Sequence, residues 1–203
     1  DTVNVTNTTP NVGAGYTDTI CGGADYLRAG PSLQAGETGA WVVAEGQGTF
    51  DNVNSPSTNV FNSSWGMTGG VMDNKNVYRW TATSAQGCSD TTFVTVYNDS
   101  IPAFTGGDRT VCTDWTNIGG NDPGYGSAQW RNTGGVSATF DDPNSANTIV
   151  RNLQGGVNTF EWTTTYNDCS NADEIIITRI TAEAGANATV VCSSEELTLT
   201  GNV

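Results

Sequence analysis

The sequence has no histidine and only one lysine, Lys75, among its 203 residues. Seven Lys and Arg residues stand against 21 Asp and Glu residues, which gives a formal net charge of −14 and a pI near 4.1. Nucleic-acid phosphates and anionic membrane surfaces both attract clustered basic residues. The charge balance therefore predicts no nucleic-acid partner. No apolar run reaches the roughly 18 residues of a membrane-spanning helix, so we also predict no membrane insertion.

The patterns that usually mark catalysis are also missing. Without histidine the commonest acid–base side chain is absent, and neither a Gly-x-Ser-x-Gly turn nor a phosphate-binding glycine loop occurs. The acidic pairs Asp141-Asp142, Asp173-Glu174 and Glu195-Glu196 could serve a glycosidase, but such pairs more often solvate turns. We therefore expect no catalytic residue and no enzyme.

The residues that are abundant point to β-structure. Helix formers never cluster at a 3.6-residue spacing, whereas Thr, Val, Ile and aromatic residues form short runs broken by Gly, Asn, Asp and Pro. In Tyr78–Thr81 and Phe160–Thr163, aromatic and charged residues alternate, which is typical of half-buried antiparallel strands. The sequence predicts an all-β fold of tandem immunoglobulin-like antiparallel β-sandwich repeats, arranged end to end.

An internal repeat organises the chain. Cys21, Cys112 and Cys192 each end a similar segment. Between these cysteines the matched residues are Trp41 with Trp130, Tyr78 with Phe160, Trp80 with Trp162, Cys88 with Cys169, Val94 with Ile175 and Val96 with Ile177. Such a period is typical of repeat architectures.

The alignment divides the chain into four parts. Residues 1–9 match the last strand of a preceding repeat, 10–99 form a first repeat, 100–181 form a second, and 182–203 start a following one. We therefore expect the chain to be a segment of a longer protein. The strands predicted for the second repeat lie around 116–119, 128–132, 148–152, 157–165 and 174–180.

The tryptophans divide into two groups. Trp41, Trp80, Trp130 and Trp162 recur in both repeats and are predicted to be core, as is Trp115, which approximately matches Tyr26. Trp65 instead lies in an insertion, Ser64–Lys75, where the second repeat has only residues 153–156. An exposed loop tryptophan can stack on a sugar or anchor in a partner's pocket, and it can equally tuck under its own loop. Trp65 is therefore a possible ligand contact.

The repeat also suggests how the cysteines pair. One disulfide per repeat, Cys21–Cys88 and Cys112–Cys169, would close each sandwich, and Cys192 would pair beyond Val203. Closing loops of this length stabilises a domain by about 4 kcal/mol. Disulfides predict an oxidising compartment, and hence an extracellular protein. A zinc site is disfavoured because the chain has no histidine and no close cysteine pair.

Calcium is the one cofactor that the sequence leaves open. Asp and Asn side chains in loops are suitable ligands for this hard cation. The candidates are Asp99 and Asp108 near the junction of the two repeats, with Asp141 and Asp142 in a turn. No Asp-x-Asp-x-Asp-Gly loop occurs, and the alternative is that these residues fill turns and keep the surface soluble.

Several segments together resemble a known family. They are the approach segment Ala182–Cys192, Gly48–Phe50 followed by Asn54-Ser55-Pro56, Asn76 through Thr81, and the closing Cys88-Ser89. They are similar to the immunoglobulin-like repeats of very large cell-surface proteins of the Bacteroidota, a family that includes gliding-motility adhesins. The resemblance covers essentially the whole chain.

The resemblance implies a function as well as a fold. It implies a cell-surface filament that is exported by the type IX secretion system and serves adhesion and gliding motility. Its partners would be a surface polysaccharide or other adhesion substratum, neighbouring repeats of the same chain, and the gliding machinery through other parts of the protein. Two alternatives are a carbohydrate-binding accessory module of a secreted hydrolase and a passive surface-layer protein.

Overall fold

A computed structural model describes residues 1–4, 6–68, 71–134 and 137–181. These residues form sixteen β-strands, and none of them belongs to a helix that could cross a membrane. The all-β prediction is confirmed. The predicted start of a following repeat, 182–203, lies outside the described residues, and so does Cys192.

The strands fall into two similar series. Those of the first repeat are β1 (Tyr16–Ile20), β2 (Ala24–Arg28), β3 (Thr38–Glu45), β4 (Thr49–Phe50), β5 (Ser57–Phe61), β6 (Met67–Thr68), β7 (Val71–Met72), β8 (Lys75–Thr83) and β9 (Ser89–Asn98). Those of the second repeat are β10 (Arg109–Val111), β11 (Trp115–Gly119), β12 (Ser127–Gly134), β13 (Thr139–Phe140), β14 (Asn147–Arg151), β15 (Gly156–Tyr166) and β16 (Cys169–Arg179).

The chain forms two compact units. The first unit contains Asp1–Pro102 together with the short segments Pro123–Ser127 and Thr164–Asn171. The second unit contains Ala103–Asp122, Ala128–Thr163 and the described residues from Ala172 onwards.

The first unit is a sandwich of two sheets. One sheet has the order β1-β9-β8-β3 and the other the order β2-β5-β4, while β6 and β7 pair with each other. Strand β1 runs parallel to β9, and β8 runs antiparallel to both β9 and β3. Both sheets supply side chains to one core, among them Leu27, Val60, Trp80 and Val94. Burying one face of each sheet against the other is what makes this arrangement stable.

The second unit repeats this plan. Its sheets have the orders β10-β16-β15-β12 and β11-β14-β13, and β10 again runs parallel to the last strand, β16. Its core contains Ile118, Val150, Trp162 and Ile175. The same strand series and the same parallel edge strand occur twice, so the predicted class of tandem immunoglobulin-like β-sandwiches is confirmed.

The recurring tryptophans hold both cores, as predicted. Trp41, Trp80, Trp130 and Trp162 are all 3% exposed or less. Trp41 and Trp80 face each other across β3 and β8, with ring centroids 5.4 Å apart, and the Trp130–Trp162 pair is 5.0 Å apart. Aromatic pairs at this distance add stabilisation beyond the area they bury.

Trp115 is not part of the core, so that prediction is wrong. Its side chain is 46% exposed. In the antiparallel pairing of β11 with β14, Trp115 faces Arg151. In the first repeat the counterpart of Arg151 is Phe61, and Phe61 faces Ala24. Trp115 therefore corresponds to Ala24 rather than to Tyr26. It sits at the exposed start of its strand.

The predicted strands of the second repeat are confirmed to within a few residues, except that the last one begins earlier. Strand β16 starts at Cys169, whereas the prediction starts at 174. The short strands β10 and β13 were missed because two or three residues carry too little alternation to indicate a strand.

The predicted disulfides are wrong: the structure joins Cys21 to Cys169 and leaves Cys88 and Cys112 as exposed free thiols. The reason is the parallel edge strand. Cys21 follows Ile20, which faces the last residue of β9, whereas Cys88 directly precedes the first residue of β9. The two cysteines therefore lie at opposite ends of that strand. A ten-residue strand spans roughly 30 Å, and a disulfide needs Cα atoms within about 7 Å.

The same geometry separates Cys112 from Cys169 in the second repeat. Cys112 follows the residue that faces Arg179, at the end of β16, and Cys169 begins that strand. The bonded pair, Cys21 and Cys169, lies within the first compact unit, because that unit takes in Thr164–Asn171. A disulfide is typical of proteins that fold outside the cytosol.

Candidate functional site

A buried asparagine, Asn76, fixes the loop that carries Trp65. Its side-chain oxygen accepts hydrogen bonds from the Ser64 backbone NH at 2.9 Å, the Ser64 hydroxyl at 2.7 Å and the Gln47 backbone NH at 3.0 Å. Its NH₂ group donates to the carbonyls of Ser64 at 3.2 Å and Asn74 at 3.1 Å. Asn76 is fully buried, so water cannot compete for these bonds. One side chain therefore holds both ends of the loop.

The second repeat contains the same hydrogen-bond hub. The Asn158 side chain accepts from the Gln154 backbone NH at 2.9 Å and donates to the carbonyls of Gln154 at 2.9 Å and Gly156 at 3.1 Å. Asn158 is likewise fully buried. A polar group buried this deeply is stable only when its hydrogen bonds are made. Asn158 therefore has the same structural role in the second repeat as Asn76 has in the first.

The two hubs define the insertion. The Asn76 side chain bonds to Ser64 and Asn74, and the nine residues 65–73 lie between these two positions. The corresponding partners of Asn158, Gln154 and Gly156, are separated by Gly155 alone. The insertion predicted at Ser64–Lys75 is therefore present in the structure, and its unique part is 65–73. It includes the β6–β7 pair.

The entry into the loop is also the same in both repeats. Asn62 and Asn152 adopt left-handed backbone conformations, with φ of 57° and 60°. Their side-chain NH₂ groups donate to the hydroxyls of Thr49 and Thr139, both at 3.3 Å. Asparagine tolerates positive φ better than most residues. The insertion therefore grows from a fixed turn.

Trp65 projects from this fixed base into solvent. Its side chain is 49% exposed, and it borders a groove of about 370 Å³. The groove is lined by Gly23, Gln47, Asn62, Ser63, Ser64, Trp65 and Asp73. An indole face beside amide, hydroxyl and carboxylate groups suits a ligand that has both an apolar face and hydroxyl groups, as a sugar does. The structure thus shows that Trp65 is exposed rather than tucked under its loop.

A buried tyrosine, Tyr78, holds Gln47, which forms one wall of the groove. The Tyr78 hydroxyl donates to the Gln47 carbonyl at 2.8 Å. Burial raises the pKa of Tyr78 above its usual value, so this hydroxyl remains a donor at neutral pH. Gln47 is therefore fixed from both its backbone NH and its carbonyl, and one wall of the groove is rigid.

Asp99, one of the four calcium candidates, is buried within the first unit. Its side chain is 4% exposed, and its two carboxylate oxygens accept 2.6 Å hydrogen bonds from the amides of Asn74 and Asn167. Its backbone NH donates to the carbonyl of Ile20 at 2.9 Å. Asp99 thus organises the segment beside the Cys21–Cys169 bond.

The other three candidates lie in the second unit and have different partners. The Asp108 carboxylate accepts from the backbone NH of Ile176 at 2.9 Å, and the Asp142 carboxylate caps a turn by accepting from the Asn144 NH at 2.9 Å. Asp141 forms a two-pronged ion pair with Arg151, at 2.6 and 2.8 Å.

The Asp141–Arg151 pair lowers the pKa of the carboxyl, chiefly through the hydrogen bonds from the guanidinium. Asp141 and Asp142 also border a groove of about 650 Å³ that Arg109 helps to line. Across the described ranges, no three His, Cys, Asp or Glu side chains converge as a metal-holding group would require. Calcium binding at Asp99, Asp108, Asp141 or Asp142 stays a prediction.

Comparison with known proteins assigns no family. No protein-family model matches the chain, and no curated protein does. Among solved structures, the ectodomain of human desmocollin-1 is 14% identical with a TM-score of 0.39, covering 87% of this chain and 36% of its own. Human CDH23 EC21-23 is 10% identical with a TM-score of 0.40, covering 92% of this chain and 77% of its own.

Titin I67–I69 is similar at the same level: 15% identity, a TM-score of 0.37, 85% of this chain and 65% of that one. The chain thus spans about a third of the desmocollin-1 ectodomain. Identities and TM-scores as low as these assign neither a family nor a function to the chain. The fold class rests on its own strand order.

Proposed function

We propose that the chain is a non-catalytic segment of a long secreted adhesin at the cell surface, and that the Trp65 groove contacts a surface polysaccharide. Tandem sandwiches of the same plan act as spacers that carry a binding site away from the cell. A disulfide and a strongly acidic surface suit an extracellular protein that stays soluble and repels unrelated polyanions.

The observation that carries the proposal is the difference between the two repeats. They share strand order, core tryptophans and the buried asparagine hub, yet only the first has residues 65–73. The fold does not require this insertion, because the second repeat closes the same turn through Gly155. A half-exposed tryptophan held on a fixed base buries little of its surface and presents its indole face to a ligand.

The resemblance to Bacteroidota surface repeats supports a finer proposal. On that basis the filament is exported by type IX secretion and serves adhesion during gliding, with the gliding machinery engaged by other parts of the protein. The chain's own contribution would be the adhesive and spacing repeats.

A second candidate is a carbohydrate-binding module of a secreted hydrolase, and the same groove favours it. The two candidate functions share a class of ligand, but they imply different partner domains in the rest of the protein. A module that serves a hydrolase would bind the polymer which that enzyme degrades. An adhesin segment would bind polymers that coat surfaces, without any associated hydrolase.

Affinity electrophoresis in gels that contain soluble polysaccharides tests the binding directly. The unaltered chain should be retarded by at least one surface polysaccharide. Trp65→Ala should abolish the retardation, with at least about a tenfold weaker affinity, or 1.4 kcal/mol. Trp115→Ala is the matched control, because that side chain is similarly exposed but does not line the groove. No retardation by any polysaccharide, or equal loss in both variants, would contradict the proposal and favour a passive surface layer.

A further inference from the structure

Cys21 and Cys112 occupy the same position in their repeats. In each repeat, one residue of the parallel edge strand faces a buried residue of the last strand, Val96 in the first repeat and Ile177 in the second. The cysteine comes three residues after that facing residue. Val96 and Ile177 are themselves equivalent and fully buried. We call Cys21 and Cys112 the anchor cysteines.

The backbone around the anchor cysteines is also the same. The carbonyl before Cys21, that of Ile20, accepts a 2.9 Å hydrogen bond from the Asp99 NH. The carbonyl before Cys112, that of Val111, accepts a 2.9 Å bond from the Ile180 NH. In both repeats, therefore, the segment that follows the last strand is held against the anchor.

Cys88 and Cys169 are equivalent as well. Each precedes by six residues a fully buried residue of the last strand, Val94 or Ile175, and each lies at the turn that opens that strand. We call these the hairpin cysteines. Cys169 is bonded and 2% exposed, whereas Cys88 is free and exposed.

The one bond in the described chain thus joins an anchor cysteine to the hairpin cysteine of the next repeat along the sequence. We propose that Cys112 and Cys88 are the open halves of two further bonds of this kind. Cys112 would bond to the hairpin cysteine of a following repeat, and Cys88 to the anchor cysteine of a preceding one. The inference deepens the proposed function, since it requires neighbouring repeats.

Two observations support these particular partners. The sequence ahead of Cys192 matches the segments that precede the two anchors, so another repeat is expected after the second. The hydroxyl of Thr8, within the segment assigned to a preceding repeat, lies 3.4 Å from the sulfur of Cys88. Likewise, the Cys169 sulfur lies 3.6 Å from the carbonyl of Ile20, next to its own anchor.

The chemistry is thiol–disulfide exchange. One thiolate attacks a disulfide oxidant, such as oxidised glutathione or a disulfide oxidoreductase, and releases one thiol. The second protein thiolate then attacks the mixed disulfide and releases the other thiol. Two protein thiols are thereby oxidised to one disulfide, and the oxidant is reduced to two thiols.

A second copy of the chain can stand in for the neighbouring repeat. In a Cys192→Ser background, one variant carries Cys88→Ser and presents only the anchor thiol, and the other carries Cys112→Ser and presents only the hairpin thiol. The variants are equilibrated, separately and mixed, in a glutathione redox buffer. Non-reducing gels then measure the dimers, and peptide mapping confirms that Cys21–Cys169 remains intact in each. Both substituted residues are exposed, so folding should be unaffected.

The proposal predicts that the mixture forms Cys88–Cys112 dimers in at least about tenfold excess over either homodimer. Random pairing would give only twice as many mixed dimers as either homodimer. A chain that keeps both thiols should form a head-to-tail ladder. Random pairing, a Cys88–Cys112 bond within one chain, or thiols that take up glutathione without cross-linking would each overturn the proposal. Polysaccharide binding through Trp65 involves neither thiol, so such a result would leave that proposal standing.

Discussion

The hydroxyl oxygens of Ser63 and Tyr78 lie 2.9 Å apart in the buried floor of the first sandwich, where the second sandwich has Leu153 and Phe160. The Tyr78 proton is used in the bond to Gln47, so the Ser63 hydroxyl donates to Tyr78. The first repeat thus fills this site with a hydrogen-bonded pair, and the second fills the equivalent site with an apolar pair. Either pair is stable, whereas one polar and one apolar residue together would leave a buried hydrogen-bonding group without a partner.

The first prediction follows from this difference between the polar pair and the apolar pair. Tyr78→Phe should cost about 1–3 kcal/mol, because it leaves the buried Ser63 hydroxyl and the Gln47 carbonyl without their hydrogen-bond partner. Ser63→Leu alone should also cost about 1–3 kcal/mol through overpacking. The double variant should be less destabilised than the sum of the two, by at least about 1 kcal/mol. Urea unfolding followed by tryptophan fluorescence measures this, and strictly additive costs would contradict the coupling.

A second prediction separates core tryptophans from the groove. Trp80→Ala and Trp162→Ala should each cost about 3–5 kcal/mol, because each empties a fully packed site. Trp65→Ala should change stability by less than about 0.5 kcal/mol, since half of its side chain faces solvent. Thermal unfolding of the three variants measures the contrast. If Trp65→Ala were as unstable as Trp80→Ala, the insertion would be part of the core.

A third prediction concerns the covalent loop between Cys21 and Cys169, which are 148 positions apart. Reduction should destabilise the chain by about 5 kcal/mol on the chain-entropy relation. In single-molecule pulling from the two termini, reduction should add about 500 Å of extension at about 3.4 Å per residue. Cys88→Ser should alter neither quantity. Equal extension with and without reductant would show that this loop is not closed.

A fourth prediction concerns acid. The Asp173 carboxylate accepts 2.7 and 2.9 Å hydrogen bonds from the Thr105 NH and hydroxyl, and the backbone bond is the main cause of its lowered pKa. A lowered pKa means that the carboxylate stabilises the folded state above its unfolded pKa, near 3.8. This contribution is lost as the pH falls through the folded pKa.

Asp173→Asn should therefore weaken the second unit at pH 7 but hardly at all near pH 2. The difference should stay below about 1 kcal/mol, because solvent screens this weakly buried group. Urea midpoints of the two proteins at both pH values provide the measurement. A variant that is equally destabilised at both would indicate that shape rather than charge matters at this position.

The sequence predicted the fold well because aromatic residues alternate along single strands and because the same core residues recur in both repeats. Trp80 and Trp162 recur at the same place, and the structure buries both. The disulfide could not be predicted this way, since pairing Cys21 with Cys88 assumes that the entry strand ends beside the final hairpin. The parallel pairing of β1 with β9 reverses that direction, and no residue pattern in a five-residue strand indicates it.

The candidate site was predicted only in part. The insertion and Trp65 followed from comparing the two repeats. The segment from Asn76 to Thr81 served only to mark the family resemblance, and the hydrogen-bond role of Asn76 and Asn158 was not predicted, although each stands four residues before a core tryptophan. That recurrence was the available signal. A buried asparagine at a repeated position indicates a hydrogen-bond hub, because burying an unsatisfied amide is too costly to persist twice.

The bond between the anchor cysteine of one repeat and the hairpin cysteine of the next is the feature on which the proposed linkage of the repeats rests. Cleavage after Lys and Arg places each of the five cysteines on its own peptide: 1–28, 80–109, 110–131, 152–179 and 180–203. Mass spectrometry of an alkylated, non-reduced digest should find 1–28 linked to 152–179, with alkyl groups on Cys88 and Cys112. Finding 1–28 linked to 80–109, together with 110–131 linked to 152–179, would place one disulfide within each repeat and contradict a bond between repeats.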